Sequence, residues 1–336
     1  MASDYAMSTK ARSFYAQHLT GSQYRTLINQ GDVPGIAAYL KNETRYGDVL
    51  DGINEKAIHR DVLEQRIRLK GQLEFLKLMR YVQPEHMKFY QFYTKRTEID
   101  QILYVLHAIE SNVSHHINYY VGDLNDLLTI DIHKLAQCKT FAEVHEFLST
   151  TDYKNILNNL LDEDVDLSVS EDALRVYYQN FLLKLVAKES NRKELEGVIF
   201  MNEELDTIGY VYRMKKYYNF EPRDIFARIH YHPHFIPERV MNDWIVKLDA
   251  DQFLDAFHQS PYGKYAAIPE TVNIELHLNS IRFKIFRRMM RFATNTNLTL
   301  FAYMFLLHRE IENITDIIEG VRYNMNPEEI YKLLIV

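Results

Sequence analysis

Three stretches of this 336-residue chain follow one pattern of Glu, apolar residue, acid, any residue, Ile: EIDQI at 98–102, ELDTI at 204–208 and EIENI at 310–314. Their starts, 98, 204 and 310, are 106 residues apart at both steps. Equal steps point to a repeated structural unit, and a repeat limits the possible folds more than any bulk property does. A second landmark recurs at nearly the same interval. Val33 to Leu40 with Tyr46 and Val49-Leu50 aligns with Phe141 to Leu148, Tyr153 and Ile156-Leu157, and then with Ala250 to Phe257, Tyr262 and Tyr265-Ala266. Within each copy, apolar residues at the first, fourth, seventh and eighth places predict one buried face of a short helix. The tyrosine follows a polar gap (KNETRY, STTDY, HQSPY), where a turn ends the helix and the ring folds back as a plug. A third landmark closes each unit: HHI at 115–117, RDI at 223–225 and EEI at 328–330. Pro222 and Pro327 precede the last two as first-turn prolines.

The composition is that of a globular chain, with 47% hydrophobic and 25% charged residues and only 11 Gly and 8 Pro. Few breakers and recurrent i, i+3, i+4 apolar spacing predict an all-α fold. The repeats divide it into three similar helical subdomains, 1–120, 121–230 and 231–336. Longer helices fill the space between landmarks: one over Gly52–Tyr81, a second from Pro84 through Glu110, and one opened by Ser170. Asn297 is the expected N-cap of the last long helix and Gly320 its C-cap. The most apolar run, Leu298 to Leu307, is too short for a membrane span. The start, MASDYAMSTK, lacks the pattern of a secretory signal. Cys138, the single cysteine, is expected to be a buried inert thiol in a reducing cytoplasm. A net charge of −7 argues against nucleic acid as a partner.

Glu98, Glu204 and Glu310 stand at the edge of the apolar stripe. They are expected to be boundary carboxylates paired with Arg66, Arg175 or Arg288, or else a ring of acids facing a partner. The segment IRFKIFRRMMRF sets Ile281, Ile285, Met289 and Phe292 against Lys284, Arg287, Arg288 and Arg291, which is expected to be an ordinary solvated face that snorkels over the core, or else a basic face for an acidic protein or anionic lipid. HYHPHF places His230, His232 and His234 at alternate positions, the best candidate for a metal-dependent enzyme site, but Pro233 and Pro237 make the stretch a loop and a surface or packing role is the expectation. His115 and His116 are expected to cap a helix end, and Trp244 to be core. One ring of each pair Tyr177-Tyr178 and Tyr217-Tyr218 should point inward.

The closing stretch LHREIENITDIIEGVRYNMNPEEIYKLLIV and the early stretch LTGSQYRTLINQGDVPGIAAYLKNETRYGDVL resemble the C-type (vacuolar d-type) subunit family of V-type and A-type rotary ATPases. The resemblance implies three helical subdomains around a pseudo-threefold axis, shaped as a funnel. It also implies a non-catalytic connector without cofactor or metal, seated on the cytoplasmic side of the membrane as a peripheral protein. Its partners would be central-stalk subunits D and F and the membrane rotor ring of c/K-type subunits, and it would pass torque between them for ion transport. The absence of a GxxxxGK[ST] phosphate loop agrees with ATP chemistry lying elsewhere. A generic helical-repeat scaffold is the alternative, and it would leave open, capped ends where a ring closes on itself.

Overall fold

Few glycines and prolines and long apolar periodicities leave the chain little choice but helix, and a computed structural model describes residues 2–82, 87–112, 122–265 and 273–336. The described residues are all-α, with short 3-10 turns and no strand. The chain forms two compact units, Met1–Met7 with Leu40–Ser190, and Ser8–Tyr39 with Asn191–Val336.

The first unit holds α4 (Gly47–Leu50), α5 (Arg60–Met79), α6 (Gln91–Glu110), α7 (Ile132–Leu135), α8 (Phe141–Phe147) and α9 (Leu167–Val186). Helix α6 is its centre and packs against α7, α8 and α9. Its stripe of Ile99, Ile102, Val105 and Leu106 is buried, and Tyr178 of α9 donates to the Phe92 carbonyl at 3.0 Å. Lys70 of α5 reaches Asp48 of α4 at 2.7 Å.

Helices α1 (Ala2–Tyr15) and α3 (Val33–Glu43) each run across a unit boundary. The second unit holds α2 (Gly21–Ile28), α10 (Arg192–Tyr217), α11 (Pro222–Phe226), α12 (Glu238–Lys247), α13 (Ala250–Gln259), α14 (Ile274–Phe292), α15 (Thr296–Arg322) and α16 (Pro327–Leu333). Helices α14 and α15 form an extensive pair, α10 packs on α13, α14 and α15, and α2 packs on α15 and α16. Thus a helix from the first tenth of the sequence lies against the last two.

Local chemistry explains where the elements end. Thr20 and Asp249 each form a capping box, with Gln23 and Gln252 reaching back to the cap N–H. Pro222 and Pro327 occupy the first turns of α11 and α16 as expected. Three long helices stop at asparagines in the left-handed region, Asn112, Asn219 and Asn324, with φ of 50°, 50° and 53°. Asparagine tolerates that conformation better than most side chains, and this recurring stop was missed in the sequence. The landmark at 115–117, with His115 and His116, as well as Pro84 and Ala266, lies outside the described residues.

Several boundary expectations are corrected. The helix expected over Gly52–Tyr81 begins only at Arg60, after a 3-10 turn at Glu55–Ala57. Asp166, not Ser170, caps α9; Ser170 is fully buried and hydrogen-bonded to Asn159. Asn295, not Asn297, caps α15, accepting from the N–H groups of Asn297 and Leu298. Gly320 lies inside α15 and is no C-cap. A Cβ there would sit 2.7 Å from an Ile330 side-chain carbon, so the glycine admits α16. Tyr217 and Tyr218 are both exposed, at the last turn and C-cap of α10, with the Tyr218 ring 6.0 Å from that of Phe220. Trp244 is half-buried, its ring edge-on to Phe253 at 5.8 Å. Cys138 is a buried thiol outside any disulfide, and burial pushes its pKa up.

Candidate functional site

The plug tyrosines lie where their spacing predicts. Tyr46, Tyr153 and Tyr262 are each 0% exposed. Each follows a hydroxyl residue by two places, and each donates its backbone N–H to that hydroxyl at 3.2 Å: Tyr46 to Thr44, Tyr153 to Thr151, Tyr262 to Ser260. The hydroxyl closes a small side-chain turn that fixes the direction of the ring.

The repeated glutamates are not at the boundary. Glu98, Glu204 and Glu310 are 1%, 0% and 3% exposed. A carboxylate at that depth must be fully hydrogen-bonded or it would strongly disfavour folding. Glu204 of α10 accepts from three successive backbone N–H groups, His234 and Ile236 at 3.0 Å and Phe235 at 2.9 Å. The Tyr262 hydroxyl donates to it at 2.7 Å, and the Tyr231 hydroxyl lies 2.6 Å away. Successive main-chain donors of this kind make a concavity for an anion. Glu98 of α6 accepts from the Thr129 N–H and hydroxyl, from the Tyr153 hydroxyl at 2.7 Å and from Lys95 Nζ at 2.7 Å. Glu310 of α15 accepts from the Leu19 N–H at 2.6 Å, across 291 residues of sequence, and His18 Nδ1 lies 3.2 Å from the same oxygen. The phenols of Tyr153 and Tyr262 have their pKa raised, first by burial and then by the adjacent carboxylate, so they stay neutral donors.

These contacts correct two expectations for the acids. None of the three glutamates pairs with Arg66, Arg175 or Arg288: Arg66 and Arg288 are exposed, and Arg175 pairs with Asp172 at 2.8 Å. Nor can Glu98, Glu204 and Glu310 face a partner, because the protein interior encloses them. They are internal struts. In each of them a long helix grips, through main-chain donors, the loop that leads into a short helix: α7 after Thr129, α12 after Ile236, α2 after Leu19. Within EIENI a second buried polar residue, Asn313, both donates to and accepts from the backbone of Ile335, at 2.8 and 3.0 Å. It pins the C-terminal residues to α15.

Helix α14 carries the candidate partner surface. Its buried side consists of Ile274, Leu278, Ile281, Phe286 and Met290, joined by His277 and by Arg282, which is held by Asp206 and Asn279. The face assigned from sequence therefore needs correction. Phe292 is 73% exposed, while Ile285 and Met289 are only half-buried. Lys284 leaves the basic set because its Nζ donates to the Tyr265 carbonyl at 2.9 Å. Arg288 and Arg291 are exposed and Arg287 is half-buried, its guanidinium 5.7 Å from the Phe283 ring.

The three histidines do not converge. His230 is exposed, His232 Nδ1 lies 2.7 Å from Glu203 and its ring stacks on Phe200, and His234 gives its backbone N–H to Glu204. Among the described residues no group of three or more His, Cys, Asp or Glu side chains is placed to hold a metal ion. No helix among them is long and apolar enough to cross a membrane.

Comparison with curated proteins returns no match. A family model described as ATP synthase (C/AC39) subunit matches residues 7–333, nearly the whole chain.

Proposed function

The chain belongs to the ATP synthase (C/AC39) subunit family, and from that premise we propose that it is the non-catalytic connector between central stalk and membrane rotor ring. In this reading it receives the central-stalk subunits D and F, sits on the ring of c/K-type subunits at the cytoplasmic face of the membrane, and carries torque for ion transport. Its three repeats, 1–120, 121–230 and 231–336, stand around a pseudo-threefold axis as a funnel. The protein has no reaction of its own.

One observation carries this reading. Glu310, the last of the repeated carboxylates, is gripped by the N–H of Leu19, in the equivalent place to the Thr129 and His234–Ile236 contacts of the other two. The C-terminal strut is thus completed by the N-terminal segment. An open-ended scaffold would leave that last carboxylate to a capping helix, whereas here the N-terminal segment takes that place. Buried struts between successive modules also supply the stiffness that a torque-bearing body requires.

The test is reconstitution. Purified protein mixed with stalk subunits D and F, and separately with detergent-solubilised rotor ring, is expected to co-elute with both on size exclusion. Small-angle scattering should show a compact body with a central depression. Co-elution with neither, or an elongated arc, would overturn the proposal.

A further inference from the structure

About half of the cations on this acidic chain are matched by a carboxylate or carbonyl, and those in the last turns of α14 are a cluster that is not. Arg287, Arg288 and Arg291 have no acidic partner among the described residues, and they project from positions i, i+1 and i+4 of one helix. A cation near a helix C-terminus ordinarily serves the terminal carbonyls. Here that duty is already discharged by Arg12, whose Nε donates to the Met290 carbonyl at 3.1 Å and whose Nη2 donates to that of Ala293 at 2.5 Å. The three guanidiniums are therefore surplus to capping. Tyr15, at the end of α1, lies beside Arg287 and Arg291. Burial raises its phenol pKa against their pull. Phe292, 73% exposed, adjoins Arg288 and Arg291 as an apolar anchor.

We propose that Arg287, Arg288 and Arg291, with Tyr15 and Phe292, form a docking surface for the acidic face of a helical protein partner. Two guanidiniums one turn apart, about 6 Å along the axis, match two carboxylates at the same spacing on a facing helix. Arginine with an exposed aromatic is the composition of a protein hot spot. Three basic side chains fall short of the cluster of about 4 to 8 that recruits anionic lipid, and a net charge of −7 repels an extended anionic surface. A compact patch on an acidic body selects a local acidic feature. The inference rests on the connector reading only for where the partner comes from, since stalk and ring are then the proteins to try first.

R287E/R291E and R288A/R291A are compared with wild type for binding to the stalk subunits, to solubilised ring and to vesicles containing phosphatidylserine, at low and high salt. The expected result is a loss of about tenfold or more in affinity for one protein partner at low salt in R287E/R291E, a smaller loss in R288A/R291A, and weakening of wild type by added salt. Thermal midpoints unchanged from wild type exclude misfolding as the cause. If wild type binds stalk and ring and both variants bind equally well, the docking surface is refuted while the connector reading stands. Arginine-dependent binding to the vesicles instead would overturn the choice of a protein partner. If wild type binds neither protein, the connector reading falls. The surface is then tested with a synthetic helix bearing Glu pairs at i and i+4, where equal affinity for wild type and R287E/R291E would refute it.

Discussion

Glu98 and Glu204 occupy matched positions in two repeats and hold their neighbours by different means. Glu98 balances its charge with a buried cation, Lys95, and takes one backbone N–H and one hydroxyl from Thr129. Glu204 has neutral partners only: three main-chain N–H groups and the phenols of Tyr231 and Tyr262. What the two share is the carboxylate on a long helix, the main-chain donor of an incoming loop, and the tyrosine hydroxyl. The rest was free to diverge, because a buried carboxylate requires satisfied oxygens and not any particular donor.

The contrast is tested most forcefully at Glu204. E204A strands three main-chain N–H groups at once, that of Ile236 buried and those of His234 and Phe235 part-buried, at about 1–3 kcal/mol each, and should destabilise the protein by about 4 kcal/mol or more in urea unfolding. A loss near 1 kcal/mol would mean that water replaces the carboxylate. E98Q comes next, at about 3 kcal/mol, because Lys95 is left buried without its counter-charge. The double variant K95M/E98Q should recover much of that loss, and no such rescue by removal of a cation exists for Glu204. Y153F and Y262F probe the shared part: each removes one hydroxyl donor to a charged acceptor, and both should cost about 1.5 kcal/mol. Unequal losses would show that the two phenols are not equivalent.

The smallest effect concerns a histidine pair in the third repeat, which also supplies the loop and the tyrosine that hold Glu204. His277 Nε2 lies 2.9 Å from His258 Nε2, and burial, with His258 and Lys284 nearby, lowers the His277 pKa from 6.5 to about 4. A histidine held neutral in the fold and free to charge when unfolded contributes stability that is present above about pH 6.5. That stability is lost progressively as pH falls toward 4, since the unfolded chain binds the extra proton. Urea midpoints measured between pH 7 and 4 should fall with acidity, and less steeply in H277Q.

The basic face of α14 and the histidine stretch show what sequence arguments miss at the scale of a single side chain. Helical spacing placed Phe292 with the buried residues, but the helix ends there and the ring extends into solvent. Lys284 belonged to the basic face by spacing and leaves it because the Tyr265 carbonyl is within reach. HYHPHF reads as a loop from Pro233 and Pro237, but nothing in its side chains announces that its backbone presents the His234, Phe235 and Ile236 N–H groups to Glu204. Periodicity predicts which side of an element is apolar. It carries no information about where that element stops or what a neighbouring carbonyl can attract.

Sequence alone determined that the chain is helical, that Tyr46, Tyr153 and Tyr262 end equivalent short helices, and that three glutamates recur at a fixed interval, because apolar period, turn hydroxyls and repeated motifs are properties of local composition. Tertiary structure alone decided that those glutamates are buried struts and that the third one is completed by Leu19 from the other end of the chain. Main-chain N–H groups are common to nearly every residue type, so a carboxylate held mainly by them has no signature side chain to match it in the sequence. A bond spanning 291 residues exists only once the intervening helices have packed.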